Sequence, residues 1–322
     1  MKLEHIEFSK DELQNLFNGK FVSADTEICF KPNDFNQHVK HFSISGVQEK
    51  MFAVEDNGIL RLAKDGEQST FIIKPTPIND YLAYRDEMSI NEYLTMQIAN
   101  KIFGIKTAPC ALIRLQDKRP ALIVKRFDIQ NNTNGDFIKL QQEDICSLLG
   151  KTAQKDGSDF KYQGSYLDMA KCLKNILPTW HFEIQKFLSI IIFNYLFSNG
   201  DAHSKNFSII RKLDGSITLS PAYDLLCTSL HIKDSDFAMN NGLGTTIHSE
   251  YFEKTGHSTA EDFIIFGKEC GLTDKQINKI IQPFLLDYIE IETIINNSLL
   301  SKKCQKIYLR AYQQRLNFLR RK

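Results

Sequence analysis

The spacing of apolar and polar residues changes near the middle of the chain. In the first half, short apolar runs alternate with turn-forming residues such as Asp56, Asn57 and Gly58, a pattern typical of β-strands. In the second half, apolar residues recur every three to four positions, as on the buried face of a helix. We therefore expect an α+β fold, with an N-terminal lobe at residues 1–128 and a mainly helical C-terminal lobe at residues 129–322.

The same pattern predicts individual elements. Strands are expected at residues 50–55, 59–63, 71–74, 111–115 and 121–127, and helices at residues 86–103, 141–149, 166–176, 181–198, 273–297 and 302–319. Leu13, Leu16 and Phe17 also lie at helical spacing and are expected to pack against a lobe. Residues 187–197 form the most apolar run, which is about half the roughly 20 residues of a membrane span and so predicts a buried helix.

Composition and charge narrow the classes of function. The 322 residues are 42% hydrophobic and 25% charged, with 40 Lys and Arg against 39 Asp and Glu, which excludes a disordered or fibrous chain. A net charge of +1 gives no overall field for gathering nucleic acid, so we expect no direct nucleic-acid contact. Seven scattered cysteines without a close pair fit a reducing cytoplasm. The acidic N-terminus does not resemble a signal peptide, and no membrane association is expected.

The last 22 residues contain eight Lys or Arg and no acidic residue. A helix here would place its basic side chains opposite Leu309, Tyr312, Leu316 and Leu319. Its basic side is either an ordinary solvated face or a docking patch for an acidic partner.

Residues 199–226, NGDAHSKNFSIIRKLDGSITLSPAYDLL, carry the strongest chemical signal. Two short apolar runs flank Asp214 and Gly215, which predicts a hairpin with a two-residue loop. That register sets Leu213 opposite Ser216 and Asn206 opposite Tyr223. It would therefore bring the amide of Asn206 beside the carboxylate of Asp224.

These residue types suit phosphoryl transfer. Asn206 and Asp224 offer the oxygen ligands that Mg²⁺ accepts when substrate phosphates complete its shell. Asp201 is placed to orient an attacking hydroxyl and take its proton, while His203 and Lys205 offer hydrogen bonds or positive charge to the transferred group. Structural roles remain open for each residue, because Asp and Asn often cap helices or form turns and a histidine beside an apolar helix is often a core residue.

The N-terminal half contains matching candidates for nucleotide binding. Ser45, Gly46, Val47 and Gln48 lie in a small polar loop before the first strand, where backbone N–H groups can meet phosphates. Lys74 ends an apolar strand, and Glu92 in the next helix is its expected ion-pair partner, as in protein kinases. Lys125 and Phe127, at the end of the strand that leads to the lobe boundary, would form a hinge whose backbone meets an adenine ring.

The segments SISGVQEK, FIIKP, NEY, VKRFD, KLQQED, NGDAHSKNFS and PAYDLL resemble, in this order, the HipA family of bacterial serine/threonine kinase toxins. The resemblance runs from about Phe42 to Leu226. It implies a two-lobed protein-kinase-like fold with a small β-rich N-lobe, and ATP and Mg²⁺ as cofactors. It also implies that Lys74 contacts phosphates, that Asp201 is the catalytic aspartate, and that Asn206 and Asp224 bind Mg²⁺.

The short stretch before the SISGVQEK loop is similar to the shortened HipT type of this family. The resemblance implies autophosphorylation at Ser43, Ser45 or both. A phosphate there would add roughly −1.5 to −2 charges where ATP phosphates sit, which should eject the loop and silence the enzyme.

The resemblance also implies partners. The expected substrate is an aminoacyl-tRNA synthetase, with the tryptophanyl enzyme favoured over the glutamyl enzyme, and its phosphorylation would inhibit translation. A small helix-turn-helix antitoxin, and a separate small protein resembling the missing N-terminal subdomain, are the other expected partners.

Two other functions are compatible with the sequence. The D-x-H-x-x-N pattern at Asp201, His203 and Asn206 also resembles the catalytic loop of phosphoinositide kinases, which favours a small-molecule or lipid kinase. A pseudokinase that serves as a corepressor scaffold is the other, although every expected catalytic position is filled.

Overall fold

A computed structural model describes residues 6–30, 49–77, 80–131 and 137–321 of the chain. The strands are β1 Met51–Asp56, β2 Ile59–Leu62, β3 Phe71–Pro75, β4 Cys110–Arg114, β5 Pro120–Lys125, β6 Ile129–Asn131, β7 Phe137–Lys139, β8 Gln141–Asp144, β9 Ser208–Arg211 and β10 Ile217–Leu219. The helices are α1 Lys10–Phe17, α2 Met88–Lys101, α3 Ile145–Leu148, α4 Ala153–Asp156, α5 Tyr166–Ile176, α6 Trp180–Leu196, α7 Glu250–Thr255, α8 Ala260–Glu269, α9 Asp274–Ile281, α10 Ile289–Asn297 and α11 Lys302–Leu319.

The N-terminal part is an antiparallel sheet in the order β2-β1-β3-β5-β4. Neighbouring residues of β3 lie on different faces of the sheet, because successive side chains of a strand point to opposite sides. Ile73 packs with Leu16 and Phe17 of α1 in one core. Lys74 lies on the opposite face, next to Leu122 in the register with β5, where the sheet meets α2 and the helical part. The predicted contact between residues 13–17 and a lobe is confirmed.

The helical part is organised around α6. His181 and Phe182 at its start are exposed, but residues 190–196 are buried on all sides, and Phe187, Leu188 and Ile192 have no exposed surface. A helix that is apolar all round belongs in the interior of a protein, so the predicted buried helix is confirmed. Among the helices that the structure describes, none is both long and apolar enough to cross a lipid bilayer.

Two predicted helices are wrong in part. Residues 141–149 begin as strand β8, which pairs with β9 from Gln141 to Asp144; only the short α3 follows. The predicted helix at 273–297 is interrupted after α9 by a 3-10 turn that contains Pro283, because proline lacks the N–H that continues a helix. Helices α7 and α8 and strands β6 and β7 were not predicted.

The predicted hairpin exists, but its register is shifted by one residue. Ile217 pairs with Arg211, and the N–H of Lys212 donates to the carbonyl of Ser216 at 2.9 Å. The loop therefore has three residues and ends at Gly215, whose φ of +82° suits the left-handed position of such a loop. Leu213 does not face Ser216, and Asn206 is not opposite Tyr223.

The C-terminal helix α11 buries Tyr308, Tyr312, Leu316 and Leu319 against the helical core. Lys306 and Arg310 are exposed on its other side, as expected for an amphipathic helix. The alternative docking patch for an acidic partner stays a prediction.

Candidate active site

A tight turn after α6 begins the loop that carries Asp201, called here the catalytic loop for the role expected of Asp201. Ser198 has a left-handed backbone with φ of +53°, which ends the helix and turns the chain toward Asp201. The amide of Asn199 donates to Oδ1 of Asn194 at 2.7 Å and to the carbonyl oxygen of Asp224 at 3.2 Å. Asn199 therefore ties this loop to the segment that carries Asp224.

Lys74 lies between two carboxylates. Its ammonium contacts Oε1 of Glu92 and Oδ1 of Asp224, and the Lys74 and Glu92 side chains are only 7% and 2% exposed. The predicted pair of Lys74 with Glu92 is confirmed as a contact, and it is buried rather than at the surface. Asp224 adopts a left-handed backbone with φ of +56°, which few residues other than glycine, Asn and Asp adopt.

The charges of this triad do not balance, because one ammonium faces two carboxylates. Burial disfavours the Lys74 ammonium, but Asp224 and Glu92 outweigh it and raise the pKa of Lys74 above its usual range. Burial raises the pKa of Glu92. Burial would also raise the pKa of Asp224, but Lys74 and then Lys50 hold it below the usual range. Asp224 is therefore an anion that the positive charges of Lys74 and Lys50 stabilise.

The two expected Mg²⁺ ligands lie together. Asn206 and Asp224 line one small cavity, together with Asn194 and Asn199. The Asn206 amide also donates to the backbone carbonyl of Asp201 at 3.3 Å. The carboxylate of Asp224 and the amide oxygen of Asn206 fit Mg²⁺ when phosphate oxygens and water complete its shell. The described residues contain no cluster of three or more His, Cys, Asp and Glu for a metal.

Asp201 is 5% exposed and meets a residue that sequence reasoning missed. The hydroxyl of Tyr162 donates to Oδ1 of Asp201 at 2.6 Å. The preceding Lys161 places its ammonium 5.0 Å from the centre of the Tyr162 ring. Both residues lie in a polar stretch without helical or strand periodicity, so the sequence offered no signal for them.

The roles expected of His203 and Lys205 stay predictions, and the two side chains lie in different surroundings. Burial, and then the charge of Lys161, lower the pKa of His203 to about 3, so the imidazole is neutral and supplies no positive charge. Lys205 is half exposed and lies 3.8 Å from Oδ2 of Asp144, with its ammonium over the ring of Phe160.

Of the two hinge candidates, Lys125 lies apart from the triad and Phe127 lies near it. The ammonium of Lys125 donates to the carbonyl of Asn15 at 3.0 Å, on the side of the sheet that packs on α1. Phe127 packs against the ring of Tyr223 with 5.6 Å between centroids, next to Asp224. The expected contact of this backbone with adenine stays a prediction. Ser43, Ser45, Gly46, Val47 and Gln48 lie outside the described residues.

A second unpredicted link joins the two halves of the site. Asn91 precedes Glu92 in α2 and is fully buried. Its amide donates to the carbonyl of Cys227 at 2.9 Å, and its oxygen accepts from the N–H of Cys227 at 3.0 Å. The helix that carries Glu92 is thereby fixed to the loop that carries Asp224.

The chain is similar to known proteins in sequence and in fold. The family described as HipA-like C-terminal domain matches residues 42–289. Y4mE of Sinorhizobium fredii, which is named as a predicted kinase, is 32% identical over 235 residues, covering 71% of this chain and 51% of that protein. The serine/threonine-protein kinase toxin HipA of Shewanella oneidensis is 28% identical over 205 residues, covering 59% of this chain and 44% of that protein.

The chain thus spans about half the length of these two relatives. A solved structure of HipA from Shewanella oneidensis, in complex with HipB and its operator DNA, superposes with a TM-score of 0.65 at 22% identity, covering 89% of this chain and 66% of that chain. At this identity the likeness shows a shared fold. The expected kinase-like fold, with a small β-rich lobe and a larger helical lobe, is confirmed.

Proposed function

We propose that this chain, which belongs to the family of HipA-like C-terminal domains, is an ATP- and Mg²⁺-dependent serine/threonine protein kinase that acts as the toxin of a toxin–antitoxin system. The observation that carries the proposal is the buried contact of Lys74 with both Glu92 and Asp224. It joins the expected phosphate-binding lysine to the expected metal ligand across 150 residues of sequence.

Each residue then has a chemical role. When bound, Mg²⁺ and ATP supply the transferable phosphoryl group and offset the charge on its oxygens. Asn206 and Asp224 hold the metal, and Lys74, kept in place by Glu92, contacts the nucleotide phosphates. Asp201 orients the serine hydroxyl of the substrate. It accepts the proton as the serine oxygen bonds to the γ-phosphorus and the bond to ADP breaks.

The substrate and partners are proposed from the family. We infer that the substrate is an aminoacyl-tRNA synthetase, with the tryptophanyl enzyme ahead of the glutamyl enzyme, and that Ser43 or Ser45 is autophosphorylated. We also propose a helix-turn-helix antitoxin as a partner, and the complex of the Shewanella oneidensis protein with HipB supports this proposal. We also propose a separate small partner protein that resembles the N-terminal subdomain. The proposed location is the cytoplasm, and the proposed lobe boundary lies at residue 128.

Transfer of labelled phosphate tests this function. Purified tryptophanyl- and glutamyl-tRNA synthetases, vesicles that contain phosphatidylinositol, and a panel of sugars are each incubated with Mg²⁺ and labelled ATP. We expect label in a synthetase with the wild-type chain and none with Asp201→Asn. Label in lipid or sugar alone would instead identify a small-molecule kinase. Binding of ATP without any transfer, by protein free of phosphate at Ser43 and Ser45, would identify a pseudokinase.

A further inference from the structure

A short 3-10 turn, Phe160–Tyr162, is fixed against the catalytic loop by several polar contacts. The hydroxyl of Ser204 donates to the carbonyl of Lys161 at 2.7 Å. The N–H of Asn240 donates to the carbonyl of Tyr162 at 2.8 Å. The Tyr162 ring also meets His203 edge-on, with 5.1 Å between centroids. The turn therefore has a defined position relative to Asp201.

Tyr162 holds the carboxylate of Asp201 in one orientation. Its hydroxyl donates to Oδ1 at 2.6 Å, and a hydrogen bond to an ionised acceptor is among the stronger kinds. Such a bond stabilises the carboxylate form, which is the form that accepts a proton from a substrate hydroxyl. It also restricts rotation of the carboxylate, so that the direction of proton transfer is set before substrate arrives.

Lys161 brings positive charge to the same place. Its ammonium lies over the Tyr162 ring, and the hydroxyl of the same ring donates to the Asp201 carboxylate. The transferred phosphoryl group must come close to Asp201, because Asp201 holds the attacking oxygen, and its equatorial oxygens require cations. Lys74, which Glu92 and Asp224 hold, is assigned to the nucleotide phosphates, whereas Lys161 interacts electrostatically with Asp201 itself.

We propose that Lys161 is a catalytic residue that contacts the transferred phosphoryl group, and that Tyr162 is a positioning residue that orients Asp201 toward the substrate hydroxyl. This inference rests on the proposed function and names the cation that was expected from His203 or Lys205. Lys161 takes no proton in this step, because the serine proton passes to Asp201 as described above. Burial lowers the pKa of Lys161, but the charge of Asp201 acts in the opposite sense.

The test compares the ground state with the transition state. Lys161→Met and Lys161→Arg are measured beside Lys155→Met, which removes an exposed lysine from the nearby α4. We expect Lys161→Met to lower kcat about 100-fold, with the affinity for ATP changed less than about threefold. Lys161→Arg should restore part of the rate, and Lys155→Met should match the wild type. Equal kcat for Lys161→Met and the wild type, or an equal loss in Lys155→Met, would overturn the inference.

Tyr162→Phe separates positioning from simple packing, because it keeps the ring and removes the donor. We expect kcat to be reduced about tenfold, with the affinity for ATP unchanged, since the hydrogen bond that orients the Asp201 carboxylate is lost. An unchanged kcat, or an equal loss in kcat and in ATP affinity, would refute the positioning role.

Binding of ADP with magnesium and aluminium fluoride gives a readout without turnover. The wild type should bind this mimic of the transferring phosphoryl group more tightly than ADP with magnesium, and Lys161→Met should lose that advantage. If the wild type neither transfers phosphate nor prefers the mimic, the proposed function itself fails. If the wild type does both and Lys161→Met does so equally, only the role of Lys161 fails.

Discussion

The side chain of Asn91 is paired with the backbone of Cys227 through both its amide N–H and its oxygen, at 2.9 and 3.0 Å. These residues lie 136 positions apart in sequence. Because Asn91 adjoins Glu92, and Cys227 follows Asp224 by three residues, this pairing sets the distance between the two carboxylates that meet Lys74.

Replacing Asn91 should therefore affect both stability and catalysis. In Asn91→Ala, the buried N–H and carbonyl of Cys227 lose their partner, which costs about 1–3 kcal/mol for each group left unpaired. We also expect kcat to fall more than the affinity for ATP, since the Glu92 helix is no longer fixed to the Asp224 loop. Urea unfolding and steady-state kinetics measure the two effects.

Asn100→Ala is the matched control for this prediction. Asn100 lies in the same helix and donates to the backbone carbonyl of Ile105 at 3.3 Å, away from the triad. Its loss should cost some stability and leave kcat unchanged. Equal kinetic effects in the two variants would mean that Asn91 acts only through the stability of α2.

Magnesium alone should stabilise the folded chain. The Lys74, Glu92 and Asp224 triad has an excess carboxylate, and a cation that binds only the native state raises the unfolding midpoint. Thermal unfolding should therefore show a higher Tm for the wild type with millimolar Mg²⁺, and no such rise for Asp224→Asn. Asp214→Asn, at the exposed tip of the β9–β10 hairpin, should respond as the wild type does. A rise that persists in Asp224→Asn would place the metal elsewhere.

Gly200 should tolerate no side chain. A Cβ atom built there overlaps the carboxylate of Asp234 and lies 2.6 Å from the carbonyl oxygen of Ser235. Gly200→Ala should therefore cost about 1–3 kcal/mol of overpacking and displace the adjacent Asp201, so that activity falls.

Gly215→Ala is the control for Gly200→Ala. A Cβ atom at Gly215 meets no other atom, but the φ of +82° there is strained for alanine. Gly215→Ala should cost about 1 kcal/mol and retain activity. Chemical denaturation and a phosphate-transfer assay distinguish the two variants, and full activity of Gly200→Ala would contradict the structure of this loop.

The stability of the chain should decrease below neutral pH because of His203. Its folded pKa is about 3, whereas an unfolded histidine titrates near pH 6.5. Below pH 6.5 the unfolded state therefore binds a proton that the folded state does not, and stability is lost as the pH falls toward 3. At pH 5 this amounts to about 2 kcal/mol.

His203→Gln should remove that part of the pH dependence, measured as the free energy of unfolding at pH 7 and pH 5. His181→Gln, which changes an exposed histidine, should behave as the wild type. An identical loss of stability between pH 7 and pH 5 in the wild type and His203→Gln would show that His203 is not buried as a neutral ring.

The spacing of apolar residues predicted most of the elements. The likeness to the Lys–Glu pair of protein kinases predicted the pairing of Lys74 with Glu92. Residues 166–176 and 302–319 form helices with the predicted bounds, because their apolar spacing is regular. The predicted hairpin brought Asn206 near Asp224, but the register from which this followed is wrong. The strand leaves β9 after Ser220, and Ala222 instead pairs with Lys106 and Ala108, so the ladder never extends to Asp224.

The rest of the site could not be predicted, because it depends on contacts between distant segments. Asn91 lies in an ordinary helical pattern, and nothing in that pattern indicates its pairing with Cys227. Tyr162 is 39 residues from Asp201 and lies in a polar turn without periodicity. Contact between Lys74 and Asp224 likewise requires the sheet and the hairpin to be assembled first.

The central claim is that Lys74, Asp201, Asn206 and Asp224 form one centre for phosphoryl transfer. Intact-mass analysis after incubation with Mg²⁺ and ATP tests it most directly, with the wild type and Asp201→Asn compared at equal ATP occupancy. The account predicts one or more phosphate increments on the wild type, located in the loop at Ser43 or Ser45, and none on the variant. Equal increments on both proteins, or an unmodified wild type that is saturated with ATP and Mg²⁺, would contradict it.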